Sequence, residues 1–303
     1  MKISRGLAAA AGIGIGAGAL ALAYASLYER VQYTLRHFAV PALPAGAEPI
    51  RVLHISDLHM TPGQVRKAHW VASLSALDPD LVLLTGDNLA HPDAVDLVSK
   101  TLRPLFKAPG AFVFGSNDYY APVLKNPLQY FNPNHEHRYG APLPTEELRK
   151  VLEDGGWSDL NNAAADRIVA GLNVHFAGVD DPHFDLDDYD LVSGPVPADA
   201  DLSIGLTHSP EPRVLDDFVR DGYDFVAAGH THGGQVCVPG YGALVTNCGI
   251  DRERVKGLHE WATGADDGMW IHVSAGLGTS PYAPVRFACA PEASLLTFIP
   301  AEL

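Results

Sequence analysis

From Ile50 onward the sequence predicts an α/β domain, on three observations. Short apolar runs recur, several are separated by helix-like segments such as QVRKAHWVASLSAL and PEPRVLDDFVRD, and each run stops abruptly at residues able to bind metal. A short apolar run reads as a strand buried on both faces, the habit of strands in α/β sheets. In such sheets ligands bind in the crevice outside the carboxyl ends of the strands.

The amino terminus is a separate object. Lys2 and Arg5 precede an uncharged run from Gly6 to Tyr28, about long enough to cross a bilayer as a helix. The run exceeds a usual signal-peptide core, so an uncleaved anchor over residues 1–28 is the expectation. Cleavage near Ala21-Leu22-Ala23 or Ala23-Tyr24-Ala25 would instead yield a secreted protein. Lys2 and Arg5 weight the leading end toward the cytoplasm and place the rest outside it, against a counter-signal from Arg30 and Arg36. Gly12 and Gly16 have the spacing of a helix-pairing motif or of plain anchor residues. Residues 29–49, rich in proline toward their end, read as a juxtamembrane linker, and residues 50–303 as the folded domain.

Within the domain the runs come in order. RVLHIS ends in Asp57-Leu58-His59, DLVLLT in Gly86-Asp87-Asn88, AFVF in Gly115-Ser116-Asn117-Asp118, DLSIGLT in His208, and DFVAA in Gly229-His230-Thr231-His232. Any one of these alone is a turn or a structural histidine. All of them at strand ends converge on one place, and glycines let the Gly-His-Thr-His-Gly-Gly loop curl closely around a metal.

The ordered set resembles the calcineurin-like metallophosphoesterase superfamily, whose blocks read D-x-H, G-D, G-N-H-[D/E], H and G-H-x-H. The Gly-Gly-Gln that follows the last block resembles the bacterial membrane-associated branch. The resemblance implies a four-layer αββα sandwich of two mixed β-sheets flanked by helices. It also implies a site for two ions, with manganese, iron and zinc all suited to mixed imidazole and carboxylate donors. By the same resemblance Asp57, His59 and His232 serve one ion, His208 and His230 the other, and Asp87 bridges them. The implied reaction is hydrolysis of a phosphodiester, pyrophosphate or phosphomonoester, lipid-linked esters included, by attack of a metal-bridging hydroxide.

The third block departs from the pattern. Ungapped alignment puts Ser116 at the asparagine position and Asn117 at the histidine position; a one-residue adjustment makes Asn117 the ligand and is favoured, because an amide oxygen binds these ions better than a hydroxyl. Either way the histidine that assists the leaving group is missing, a loss worth about 10²–10⁴-fold. Asp118, or His135 or His137 in the long segment that follows, are candidate replacements. That segment reads as a binding loop or as a surface insertion. Phosphodiesters and pyrophosphates are favoured over monoesters, because their leaving groups need less protonation. A metal-binding module that has lost catalysis is the alternative.

Other residues carry weaker signals. Asp180, Asp181 and His183 read as supports for metal-bound histidines or as a capped turn. Arg286 reads as a phosphate contact or a structural ion pair, while His54, His175 and His272 lie inside strand-like runs and read as structural. Cys237 and Cys248 flank a hairpin-like stretch, consistent with a disulfide or with two reduced thiols. With 21 basic against 36 acidic residues the net charge is −15, so no nucleic-acid partner is expected.

Overall fold

The computed structural model describes residues 16–124, 139–264 and 268–301. Strands β1 (Thr34–Leu43), β2 (Ile50–Ile55), β3 (Leu81–Thr85), β4 (Gly110–Val113) and β5 (Ser158–Asp159) are followed by β6 (Ala163–Val169), β7 (Leu172–Gly178), β8 (Leu202–Leu206) and β9 (Phe225–Ala228). A short ribbon of β10 (Cys237–Val238) and β11 (Gly242–Ala243) precedes β12 (Gly257–Ala262), β13 (Gly268–Val273) and β14 (Glu292–Pro300). Helices α1 (Val65–Ser73), α2 (Val95–Leu102), α3 (Thr145–Asp154) and α4 (Pro212–Asp221) connect them.

Two six-stranded mixed sheets result, ordered β1-β14-β2-β3-β4-β5 and β12-β13-β9-β8-β7-β6. Strand alternation decides what each face touches. In β2, Ile50 and Val52 enter a core shared with Ile204, Leu206 and Phe225 of the other sheet. Leu53 and Ile55 face the opposite way, onto Val71 of α1 and Val98 of α2. The far face of the second sheet packs Val226 and Ile271 against Leu215 and Phe218 of α4. The layering is therefore helices, sheet, sheet, helix, as the family resemblance implied.

The expected linker is different. Thr34–Leu43 is the edge strand of the first sheet, paired parallel with β14 from Thr34 opposite Glu292 onward. Val40 and Leu43 are buried between the sheets. Pro41 masks the strand in the sequence, yet an edge strand tolerates a proline because one side of its backbone needs no partner.

Part of the expected anchor lies outside the described residues. Residues 16–23 are helical and run into a π-helical turn, Tyr24–Tyr28, and a single 3₁₀ turn, Glu29–Val31. Among the described residues no helix is long and apolar enough to cross a membrane. Leu20, Leu22, Leu27 and Tyr28 are exposed there. Tyr24 meets Phe287 edge-on, and the buried Glu29 carboxylate accepts the backbone N–H groups of Ala288 and Cys289. His135 and His137 also fall outside the described residues.

Candidate metal centre

Asp57 and His59 follow β2, Asp87 follows β3, and Asn117 sits in a single helical turn, Ser116–Tyr119, after β4. The second sheet contributes His208 after β8, and His230 and His232 after β9. The first sheet's loops continue the parallel pairing past the strands, His59 N–H donating to the Asp87 carbonyl at 2.9 Å and Met60 N–H to that of Asn88 at 2.8 Å. Between those bonds the chain must turn sharply. Asp57, His59, Asp87, His230 and His232 all have left-handed backbones, with φ between 41° and 67°. For non-glycine residues this costs about 1–3 kcal/mol each and concentrates at functional sites.

Their donor atoms converge. One ligand atom each from Asp57, His59, Asp87 and His232 lie within 4.8 Å of one another. His59 Nε2 is 3.1 Å from His232 Nε2, and Asp57 Oδ1 is 3.6 Å from His232 Nε2. Asp87 turns Oδ2 toward this group, 3.3 Å from His59 Nε2, and Oδ1 toward His208 Nε2 at 3.5 Å. His208 Nδ1 donates to the Thr85 carbonyl at 2.7 Å, which turns Nε2 toward Asp87 and places it 3.3 Å from His230 Nδ1. Imidazole donors thus stand on both sides of the Asp87 carboxylate.

The electrostatics match a cation site. Burial drives His59 down to about 4 and His232 well below the usual imidazole range, leaving both neutral with lone pairs to give. Burial raises Asp57 to about 6. It also opposes ionisation of Asp87, but His208, His59 and the Asn117 N–H outweigh it and hold that carboxyl well below its usual range. Burial likewise disfavours a charged His208, yet the Asp87, Asp57 and Asp181 carboxylates keep its pKa well above the usual range. A protein with two buried carboxylates needs such a positive charge, and metal ions supply it more fully. Residues 50–234, more than half of the chain, match the calcineurin-like phosphoesterase family.

The chain belongs to this family. It is 25% identical over 278 residues to the uncharacterized metallophosphoesterase YkuE of Bacillus subtilis, covering 89% of this chain and 85% of that one. It is 28% identical over 266 residues to the phosphodiesterase YaeI of Escherichia coli, covering 84% and 83%. It is also 25% identical over 308 residues to the UDP-2,3-diacylglucosamine pyrophosphatase LpxG of Chlamydia trachomatis, covering 88% of each.

In this phosphoesterase contacts distinguish the two residues of the third block. Asn117, not Ser116, touches Asp87, through its backbone N–H to Oδ1 at 2.6 Å and its side-chain amide to Oδ2 at 2.8 Å. Ser116 also lines the cavity beside Asp87, but donates its hydroxyl to Asp181 Oδ2 at 2.6 Å. Asp118 does not line the cavity beside these residues. It is fully buried, and its carboxylate accepts the backbone N–H groups of Asn88 and Gly115, tying the second block to the third. Burial, then Asp87, raises it to about 7. The reason is the helical turn: position three after Gly115 points back at the turn's own start, the place of a capping carboxylate.

His183 does reach the site. It lines a cavity of about 420 Å³ together with His59, Asp87, Asn117, His230 and His232, its ring centroid 4.5 Å from that of His230. Asp181 positions it, accepting the His183 N–H at 3.1 Å to start the turn Pro182–Phe184. Asp180 instead accepts the Tyr119 hydroxyl at 2.8 Å.

Arg286 forms no ion pair among the described residues. It is fully buried and donates to the carbonyls of Ala275, Gly276, Gly278, His232 and Cys289, which clamps the His232 loop to the loop after β13. Cys237 does not face Cys248. Its cross-strand neighbour is Ala243, its thiol donates to the Gly233 carbonyl at 3.3 Å, and all three cysteines are free. His175 pairs with Asp166 at 2.7 Å, away from the site.

The loop after β13 was illegible as part of the site because it carries no metal-binding side chain. Its Gly276 has φ +66°, and a Cβ there would stand 2.5 Å from Asp57 Cβ. Its position at another strand end was the available signal. Gly86 is equally constrained, with φ +83° and a would-be Cβ 2.5 Å from Gly115 N.

Proposed function

We propose that this protein is a membrane-anchored, two-metal phosphoesterase acting on a phosphodiester or pyrophosphate carried by a lipid. The observation that carries the reading is the division of donors on either side of Asp87, whose two oxygens face His59 and His208 respectively. Asp57, His59 and His232 would hold one ion, His208, His230 and Asn117 the other, with Asp87 between. Manganese, iron and zinc all suit these donors. The ions, when bound, supply a nucleophilic hydroxide at neutral pH and neutralise charge on the phosphoryl oxygens.

The chain's own residues do the rest. Asn117 is held against Asp87 by two hydrogen bonds, which presets its amide for turning its oxygen to an ion. His183 stands beside His230 in the same cavity and offers an imidazole to the leaving oxygen, the role the third block has lost.

The lipid part of the reading rests on the cavity's rim. Val236, Leu244 and Tyr282 line it and are exposed. Val236 is bridged to Phe287, and Phe287 packs on Tyr24 of the amino-terminal helical segment. The mouth is therefore linked, through Val236, Phe287 and Tyr24, to the segment that carries the exposed Leu20, Leu22 and Leu27. Exposed apolar side chains beside a site, with tyrosines among them, suit a bilayer interface. The relative LpxG acts, by its name, on a diacylated nucleotide pyrophosphate.

The test is hydrolysis by metal-reconstituted protein of an aryl diester, an aryl monoester and a lipid diester in vesicles, with His208→Ala alongside. Undiminished turnover by that variant would refute the two-metal assignment.

A further inference from the structure

Between the sheets, in a core made largely of Val, Leu, Ile, Phe and Ala, lie two histidines with no exposure at all, His54 of β2 and His272 of β13. Their Nδ1 atoms are 2.8 Å apart. His54 Nε2 is 2.9 Å from Thr85 Oγ1, Thr85 Oγ1 donates to Ser56 Oγ at 2.8 Å, and Ser56 Oγ donates to Asp57 Oδ2 at 2.6 Å. Every member of this chain is fully buried.

The proton positions follow from one end. A carboxylate only accepts, so the Ser56 hydroxyl gives its hydrogen to Asp57, and Thr85 gives its hydrogen to Ser56. Thr85 must then accept, which puts the His54 hydrogen on Nε2. His54 Nδ1 is left bare and accepts from His272 Nδ1–H. His272 Nε2 is then a bare acceptor, and it has no hydrogen-bond partner among the described residues. The opposite polarity would bury an unpartnered N–H there, the costlier orphan. Burial pushes both histidines below their usual range, His54 to about 3, so both are neutral as this arrangement requires.

We infer that His54 and His272 are positioning residues: with Thr85 and Ser56 they form a polarised strut that orients Asp57 and sets the alignment of the two sheets. The strut occupies Asp57 Oδ2, so that Oδ1 is the atom turned toward His232. It also crosses from the sheet that supplies Asp57, His59 and Asp87 to the sheet that supplies His208, His230 and His232. An apolar interface tolerates small sliding, whereas a chain of directional bonds accepts one register. The inference rests on reading Asp57 as a metal ligand.

Nitrogen-15 NMR of the histidine rings in the full chain tests the polarity. Hydrogen on Nε2 of His54 and on Nδ1 of His272 is expected; hydrogen on Nδ1 of His54 overturns the strut. Zn²⁺ affinity, measured calorimetrically, tests its purpose. Thr85→Val keeps the shape and removes the link, and should weaken binding by about 10–100-fold, as loss of groups that orient metal ligands does. Thr85→Ser restores the hydroxyl and should recover most of that affinity. Thr85→Val binding as tightly as the parent, or Thr85→Ser as weakly as Thr85→Val, overturns it. Neither readout involves turnover, so a failed hydrolysis assay leaves both intact.

Discussion

Ser116 donates its hydroxyl to Asp181 at 2.6 Å, and Asp181 in turn accepts the backbone N–H of His183. The residue that an ungapped alignment would put at the family's asparagine position is thus spent on holding the turn that brings an imidazole into the cavity. Ser116→Ala should keep both metals and lose about 1–3 kcal/mol of stability with the buried hydrogen bond. Asn117→Ala should lower occupancy at the second position instead. Metal content per chain and denaturant unfolding separate the two, and second-ion loss in Ser116→Ala would return the ligand role to the serine.

If His183 assists departure of the leaving oxygen, its worth depends on how much help that oxygen needs. His183→Ala should lower kcat about 10²-fold on an alkyl diester and far less on an aryl diester. Metal content should not change. Equal losses on both esters would assign His183 to substrate binding rather than to the leaving group.

His54 predicts a pH dependence of stability. Its folded pKa, held to about 3 by burial, lies below the unfolded value, which is about 6.5. Below that value the unfolded chain binds a proton that the folded one refuses, so stability is lost as pH falls from about 6.5 toward about 3, by about 1.4 kcal/mol per pH unit. His54→Gln removes this contribution. Between about pH 7.5 and about pH 5.5 the variant should lose about 1.4 kcal/mol less than the parent in denaturant titrations. Parallel losses would mean that His54 is protonated in the fold.

The apolar surface by the cavity makes a prediction independent of chemistry. Val238 and Tyr241 are exposed on the hairpin next to the rim, outside the cavity lining. Val238→Asp with Tyr241→Asp should cut hydrolysis of a vesicle-borne lipid diester about tenfold, a cost near 1.4 kcal/mol for charging an interfacial face. A water-soluble aryl diester should react as before. Equal rates on vesicles would remove the bilayer from the proposal.

Legibility followed chemistry. The convergence of Asp57, His59, Asp87, His208, His230 and His232 could be read from the chain because strand, turn and donor side chain are adjacent in sequence. Asp118 could not, since whether a carboxylate faces a cavity or caps its own turn depends on a few tens of degrees of backbone. The edge strand Thr34–Leu43 was hidden because its partner, β14, lies at the other end of the chain.

The sequence alone determined the α/β class, the order of the blocks and the donor types, because apolar runs ending in Asp, His and Asn are local patterns. Tertiary structure decided which oxygen of Asp87 faces which histidine, that Asn117 rather than Ser116 adjoins it, and that His183 enters the cavity. It also joined His54 to Asp57 through Thr85 and Ser56. Those relations are fixed by the packing of two sheets built from distant segments, and hydrogen-bond geometry across that interface leaves no periodic trace in a chain.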